Sequence, residues 1–327
     1  MKNPWTWHGG DLDAARARFG DGAEPWMDLS TGINPHGWPD TDALSIDWRR
    51  LPSATDLREL EKIAARYFGV DADHVCALPG TEIGLRLIGD LLGPRAAYLA
   101  PAYRTHGEMF PASSPLAPDA LAEADGGTII LANPNNPDGR LWRRDMLVEL
   151  ASRRSATGWL IIDEAFADSD PAQSLASDIA DERRLIIFRS FGKFFGLAGV
   201  RLGFLLGPRA IIDRIRQKLG AWPISAAAIA IGKAAYADHG WIIEMRARLR
   251  RDRQRLDQIL IGNGYQPTGA CPLFRLIVAE NAGRLFEHLA RQFILTRPFD
   301  HDPRWLRIGL PRTSEEFERL RKALPLG

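Results

Sequence analysis

Lys193 sits in the run Phe-Arg-Ser-Phe-Gly-Lys-Phe-Phe-Gly-Leu-Ala-Gly-Val-Arg-Leu-Gly (188–203), immediately after a stretch that reads as a buried strand. A lysine so placed can be desolvated, lose its proton and act as an amine nucleophile, for which Schiff-base chemistry is the natural use. Ser190 lies three residues before it and Arg201 eight after, a hydroxyl and a fixed cation of the kind that grip a phosphate. Asp163 closes the run Leu-Ile-Ile, where a lone carboxylate is costly to bury, so it calls for a cationic partner. Asn136, between Asn135 and Pro137, is a loop amide able to donate a hydrogen bond. Gly80-Thr81-Glu82 at an expected helix start offers backbone N–H groups to an anion.

The elements that must position these groups follow one grammar between residues 54 and 206. A short apolar run is followed by a polar or glycine-rich turn and then a helical pattern, which reads as buried parallel strands of an α/β domain. Strands are expected at His74 to Leu78, Ala96 to Ala100, Thr128 to Ala132, Trp159 to Ile162, Leu185 to Arg189 and Leu202 to Leu206. Open parallel sheets bind ligands at the carboxyl ends of their strands, so the polar groups should converge on one crevice. An amine, a carboxylate, an amide donor and a phosphate cradle match pyridoxal phosphate: Lys193 for the aldehyde, Asp163 for the pyridinium nitrogen, Asn136 for the phenolic oxygen.

Residues 211 to 260 are helical in pattern. The arginine-rich stretch 246–255 is interleaved with Leu249, Leu256, Ile259 and Leu260 at helical spacing and carries no aromatic stacking residue, so it reads as a solvated helix face. From 262 onward, strand-like pieces (Leu273 to Val278, Trp305 to Gly309) alternate with helical ones (Gly283 to Gln292, Ser314 to Ala323). The expected organisation is an N-terminal segment, 1–35, packing with the small domain, a large cofactor domain over 36–235 and a small α+β domain over 236–327.

At 327 residues, with 45% apolar and 25% charged, the chain has the length of about two domains and the composition of a packed core. Lys plus Arg number 42 against 41 Asp plus Glu, and a net charge of +1 supplies no global field for nucleic acid or an anionic membrane. Two cysteines are too few for a disulfide framework or a thiolate metal cluster, which points to a reducing compartment, the cytoplasm. Neither a signal-peptide h-region nor a run of roughly 20 apolar residues is present, so a soluble protein is expected.

Asn-Pro-Asn-Asn-Pro-Asp-Gly (133–139), Ile-Asp-Glu-Ala-Phe (162–166) and Ser-Phe-Gly-Lys-(x)7-Arg-Leu-Gly (190–203) resemble, in order, the cofactor motifs of the fold-type-I pyridoxal-phosphate enzymes of the aminotransferase superfamily. The likeness extends over nearly the whole chain. It implies a large domain with a mostly parallel central sheet flanked by helices, a small α+β domain, and an active site built between the two subunits of a homodimer. Residue by residue, it implies that Lys193 bonds the cofactor aldehyde, that Asp163 pairs with the ring nitrogen and that Asn136 meets the phenolic oxygen. Gly80, Thr81, Ser190 and Arg201 go to the cofactor phosphate and Tyr103 to stacking on the ring, while Arg307 clamps the substrate α-carboxylate. His8, Asn34 and Arg297 are expected nearest the substrate's own phosphate, ahead of Arg140, Arg143 and Arg144, because the family folds its N-terminal segment and small domain over the substrate.

Within the superfamily, His8-Gly9-Gly10, the segment Asp28 to Gly37 and Phe166 in place of a usual tyrosine resemble the branch that decarboxylates L-threonine O-phosphate in cobalamin biosynthesis. A near relative is the branch that transaminates histidinol phosphate. The two share their catalytic residues and differ in which bond at Cα stands perpendicular to the ring; decarboxylation is the leading reading and transamination the alternative. Two positions depart from the pattern: Asp138 replaces a usual threonine, and Leu51 stands where relatives often carry a tyrosine that reaches the neighbouring subunit's cofactor phosphate. A leucine donates no such hydrogen bond.

Overall fold

A computed structural model describes residues 4–327; residues 1–3 of the expected N-terminal segment lie outside the described residues. The chain divides into two compact units, one of Gly37–Asn136 and Leu141–Glu244, the other of the chain up to His36 with Pro137–Arg140 and Met245–Gly327.

The larger unit is built on seven strands: β1 (Val75–Leu78), β2 (Arg95–Leu99), β3 (Ala112–Leu116), β4 (Ile129–Ala132), β5 (Leu160–Asp163), β6 (Leu185–Ser190) and β7 (Gly203–Leu206). Their order across the sheet is β1-β7-β6-β5-β4-β2-β3. All neighbouring pairs are parallel except those of β7, which runs against both β1 and β6. The central strands are buried save for Ser190 at the end of β6, as runs covered on both faces must be. β3 escaped the sequence reading because Ala-Ser-Ser-Pro-Leu has no apolar run; it is largely exposed, and its Pro115 is tolerated at the edge of a sheet, where a missing N–H breaks no ladder.

The helices around this sheet carry their own stop and start signals. In Ala54–Phe68 the Ser53 hydroxyl accepts from Asp56 N at 3.0 Å, and Gly69 closes the helix in the left-handed conformation, φ +72°. Under Lys193, Phe191, Phe194 and Phe195 are fully buried, with Phe191 and Phe195 stacked at 4.6 Å. The long helix His239–Gly262 buries Ile242, Met245, Leu249, Leu256 and Leu260, a stripe at helical spacing, while Arg248 and Arg253 pair along the helix with Asp252 and Asp257. Sequence placed residues 236–244 in the small domain; they group with the large unit, where Trp241 stacks on Phe195 at 5.5 Å.

In the smaller unit a four-stranded antiparallel sheet runs in the order Arg297–Pro298, Trp305–Gly309, Phe274–Val278, Pro267–Thr268. The N-terminal segment joins it by main-chain hydrogen bonds. Met27–Asp28 pairs in parallel with Ile294–Leu295, and Gly309 N donates to Leu29 O at 2.7 Å.

Candidate active site

The reversal of β7 decides what can meet at the rim of the large sheet. Gly203 is in register with both Leu78 and Ser190, so the start of β7 lies at the carboxyl ends of β1 and β6. Arg201, two residues earlier, is thereby brought to the same rim as Gly80 and Ser190. A parallel β7 would carry it to the opposite edge, a strand length of roughly 13 Å away. Arg201 itself adopts a left-handed backbone, φ +56°, a conformation that costs a non-glycine residue about 1 kcal/mol.

Gly80 precedes the helix Thr81–Leu92 with φ +85°, and a Cβ there would stand 2.6 Å from a terminal nitrogen of Arg201. The missing side chain is what lets the guanidinium lie against the helix start. A Cβ on Gly203 would likewise meet Thr81 N at 2.9 Å. Backbone N–H groups of a first helical turn, a guanidinium and the Ser190 hydroxyl form a cradle for a phosphate-sized anion.

Asp163 ends β5 at 6% exposure. One of its oxygens accepts from Ala165 N at 3.1 Å and the other faces His106 Nε2 at 3.1 Å. His106 is completely buried, and its Nδ1 has no hydrogen-bond partner. Because a carboxylate only accepts, Nε2 is the donor in this contact. Sequence called for a cationic partner for Asp163; the group that faces its carboxylate is instead the ring of His106. Nothing but its place three residues after Tyr103 marked it, since helix Arg104–Glu108 follows that residue directly.

The strand end is fixed from behind by a buried ionic cluster that sequence also missed. Arg189 holds Glu164 at 2.8 Å and also binds Asp168, while Glu164 accepts from Ser174 Oγ at 2.6 Å and Leu175 N at 2.8 Å. Burial pushes the Glu164 carboxyl up, against the pull of Arg189. The cluster ties the residues after Asp163 to the residue before Ser190.

Lys193 is half-buried in the cleft, its Nζ 5.8 Å from the centre of the buried Phe166 ring. Asn136 reaches the same cleft from a loop pinned at two points: Asn133 exchanges hydrogen bonds with the Trp142 backbone, at 2.8 and 3.2 Å, and Asn135 Nδ2 donates to Pro101 O at 3.0 Å. Tyr103 packs edge-on against His106 at 82°. Gly80, Thr81, Tyr103, Asn136, Asp163, Ser190, Lys193 and Arg201 therefore line one cleft, together with Glu82, a carboxylate to which sequence assigned no role beyond the helix start.

His8, Asn34, Arg297 and Arg307 belong to the smaller unit. Arg297 and Arg307 are cross-strand partners. Arg307 is 2% exposed and donates to Ser30 O at 2.7 Å; burial, then the neighbouring Arg297, pushes its guanidinium well below the ordinary value. An anion beside this pair would relieve the cost of burying it. Arg297 also reaches Trp7 O at 3.4 Å, next to the exposed His8, whereas the Asn34 carbonyl is occupied by His36 N at 2.9 Å. Among the described residues no group of acidic, histidine or cysteine side chains could hold a metal ion, and no helix is long and apolar enough to cross a membrane.

The family Aminotransferase class I and II matches residues 117–324. A threonine-phosphate decarboxylase of Sinorhizobium sp is 37% identical, with 97% of each chain covered. The enzyme of that name from Pseudomonas aeruginosa is 36% identical, over 97% of this chain and 96% of its own. Among solved structures, a histidinol-phosphate aminotransferase from Sinorhizobium meliloti in complex with pyridoxal-5'-phosphate superposes with a TM-score of 0.80 at 22% identity, covering 96% of this chain and 93% of that one.

Proposed function

Because the chain belongs to the aminotransferase class I and II family, we propose that it binds pyridoxal phosphate in the cleft of the larger unit and decarboxylates L-threonine O-3-phosphate. The products are carbon dioxide and (R)-1-aminopropan-2-yl phosphate, and the setting is cobalamin biosynthesis. The observation that carries this reading is the near-full-length likeness to two threonine-phosphate decarboxylases. The cleft fits the cofactor: Gly80 leaves room for Arg201 at a helix start, and a buried carboxylate backed by an imidazole lies in the same cleft as a lysine.

When bound, pyridoxal phosphate supplies an aldehyde for amine capture and a protonated ring that draws electrons from the bond being broken. This chain's residues do the rest. Lys193 would hold the cofactor by its aldehyde, and its amine would be placed to hold a proton and deliver it to the substrate Cα. Asp163 keeps the proton on the ring nitrogen, and His106 holds the carboxylate in the orientation that does so. Asn136 donates to the phenolic oxygen; Tyr103 covers a face of the ring; Arg201, Ser190, Gly80 and Thr81 hold the phosphate. We assign Arg307 to the substrate α-carboxylate, and Arg297, His8 and Asn34 to its phosphate, a reading supported by the cross-strand pairing of the buried Arg307 with the half-buried Arg297.

We also assign a homodimer, supported by Trp48, Leu51 and Trp222, large apolar side chains left exposed beside grooves lined by Pro52, Ala226 and Ile229. A cytoplasmic location is supported by Cys76 and Cys271, both buried free thiols.

Purified protein given L-threonine O-phosphate should release carbon dioxide with no 2-oxo acid added, and unphosphorylated threonine should compete poorly. Glutamate formed from histidinol phosphate and 2-oxoglutarate, with no carbon dioxide from threonine phosphate, would overturn the assignment.

Phe166 yields a second test. A tyrosine there would donate to the anionic phenolic oxygen and stabilise the deprotonated form of the lysine-linked cofactor. Phe166→Tyr should therefore lower the pH at which the visible absorbance changes, by about one pH unit, the worth of one hydrogen bond to an anion. An unchanged midpoint would mean that Phe166 does not face that oxygen.

A further inference from the structure

Glu82 is an acidic side chain in a cleft that otherwise gathers anion-binding groups. Its place in the first turn of Thr81–Leu92 suits the helix dipole, yet a carboxylate next to a bound phosphate is electrostatically unfavourable. Its oxygens are engaged by donors from two elements. Tyr103 OH donates at 3.0 Å, Thr105 Oγ1 at 2.8 and 3.0 Å, and Arg86 Nε at 2.8 Å. The Tyr103 ring is therefore attached at one end through its own backbone and at the other through its hydroxyl. On its edge it meets the His106 ring, centroids 5.8 Å apart, and His106 in turn holds Asp163. An aromatic ring tethered at both ends and braced on one edge keeps little freedom to tilt. Burial, and then Glu82, push the Tyr103 phenol up to about 12, so the hydroxyl remains a donor across any working pH.

We propose that Glu82 is a positioning residue: by capturing the Tyr103 hydroxyl it sets the tilt of that ring, and through it the seating of the cofactor ring in the cleft. The proposal rests on the reading of the cleft as a pyridoxal-phosphate site. It makes the hydroxyl of Tyr103 a tether, and leaves only the face of the ring for the ligand.

The test compares the cofactor-loaded wild-type protein with Glu82→Ala, Glu82→Gln, Tyr103→Phe and the double variant Glu82→Ala/Tyr103→Phe. The readouts are the visible circular dichroism of the cofactor band and kcat and KM with threonine phosphate. Losing the tether should weaken the dichroism and lower kcat about 10-fold, the scale of one hydrogen bond to a charged group, with KM nearly unchanged. Tyr103→Phe should match Glu82→Ala, the double variant should be no worse than Tyr103→Phe alone, and Glu82→Gln, which keeps a carbonyl acceptor, should recover most of the loss. Losses that multiply in the double variant, or dichroism unchanged in Glu82→Ala, would overturn the role of Glu82. A wild-type protein that takes up pyridoxal phosphate without a lysine-linked absorbance band would instead overturn the cofactor reading and the proposal with it.

Discussion

Lys193→Ala is expected to lose the lysine-linked absorbance band entirely and to lower turnover by roughly four orders of magnitude or more, because no other group replaces its amine. The fold should survive. The side chain is only half-buried, and the packing beneath it comes from Phe191, Phe194 and Phe195, which the substitution leaves alone. Thermal unfolding of the variant without cofactor should therefore match that of the wild-type protein without cofactor, and absorbance with turnover should report the chemical loss. A folded Lys193→Ala protein with near-native turnover would remove Lys193 from the reaction.

Asp163→Asn is the second large effect. The amide has nearly the shape of the carboxylate, so its oxygen can still accept from His106 Nε2 or Ala165 N, the bonds now made at 3.1 Å each. What it lacks is the negative charge that keeps a proton on the cofactor ring nitrogen. Turnover should fall by roughly a thousandfold, the range seen when one group that stabilises developing charge is removed, while the lysine-linked band persists with weaker cofactor retention. Single-turnover kinetics on the loaded variant measure this directly. Rates equal to wild type would show that the ring proton is not held by Asp163. Replacing Asp163 with alanine is a poorer test, since it also strips a buried imidazole of its acceptor and destabilises the protein for an unrelated reason.

How much of this was legible before the structure depends on the kind of signal. β4, β5 and β6 could be read because strands covered on both faces are continuous apolar runs, and Ile129–Ala132, 160–162 and 185–188 are such runs, with polar residues only where the last two strands end. Lys193, Asp163 and Asn136 stood out as polar groups at the ends of such runs. The direction of β7 was not legible, because an apolar run has no arrow; yet that direction is what delivers Arg201 to Gly80. His106 and Glu82 were invisible as site residues for another reason. Each takes its meaning from a partner far along the chain, Asp163 at a separation of 57 and Tyr103 at 21, and no local pattern encodes such a pairing. The four residues Pro137–Arg140, which group with the smaller unit, likewise sit in the middle of a sequence that reads as one continuous domain.

The sheet order β1-β7-β6 also has a consequence for how the chain is made. β1 is the first strand of the large sheet to leave the ribosome and β7 the last, and β7 is the neighbour with which β1 pairs. Val75–Leu78, buried along its whole length in the finished protein, must wait without a sheet partner while β2 to β6 are synthesised. Nascent chains halted before Gly203 would present an apolar, unsatisfied strand of the kind that chaperones bind and that seeds aggregation. A truncated chain that stops just before Gly203 should accumulate in the insoluble fraction, and one reaching past Leu206 should be markedly more soluble.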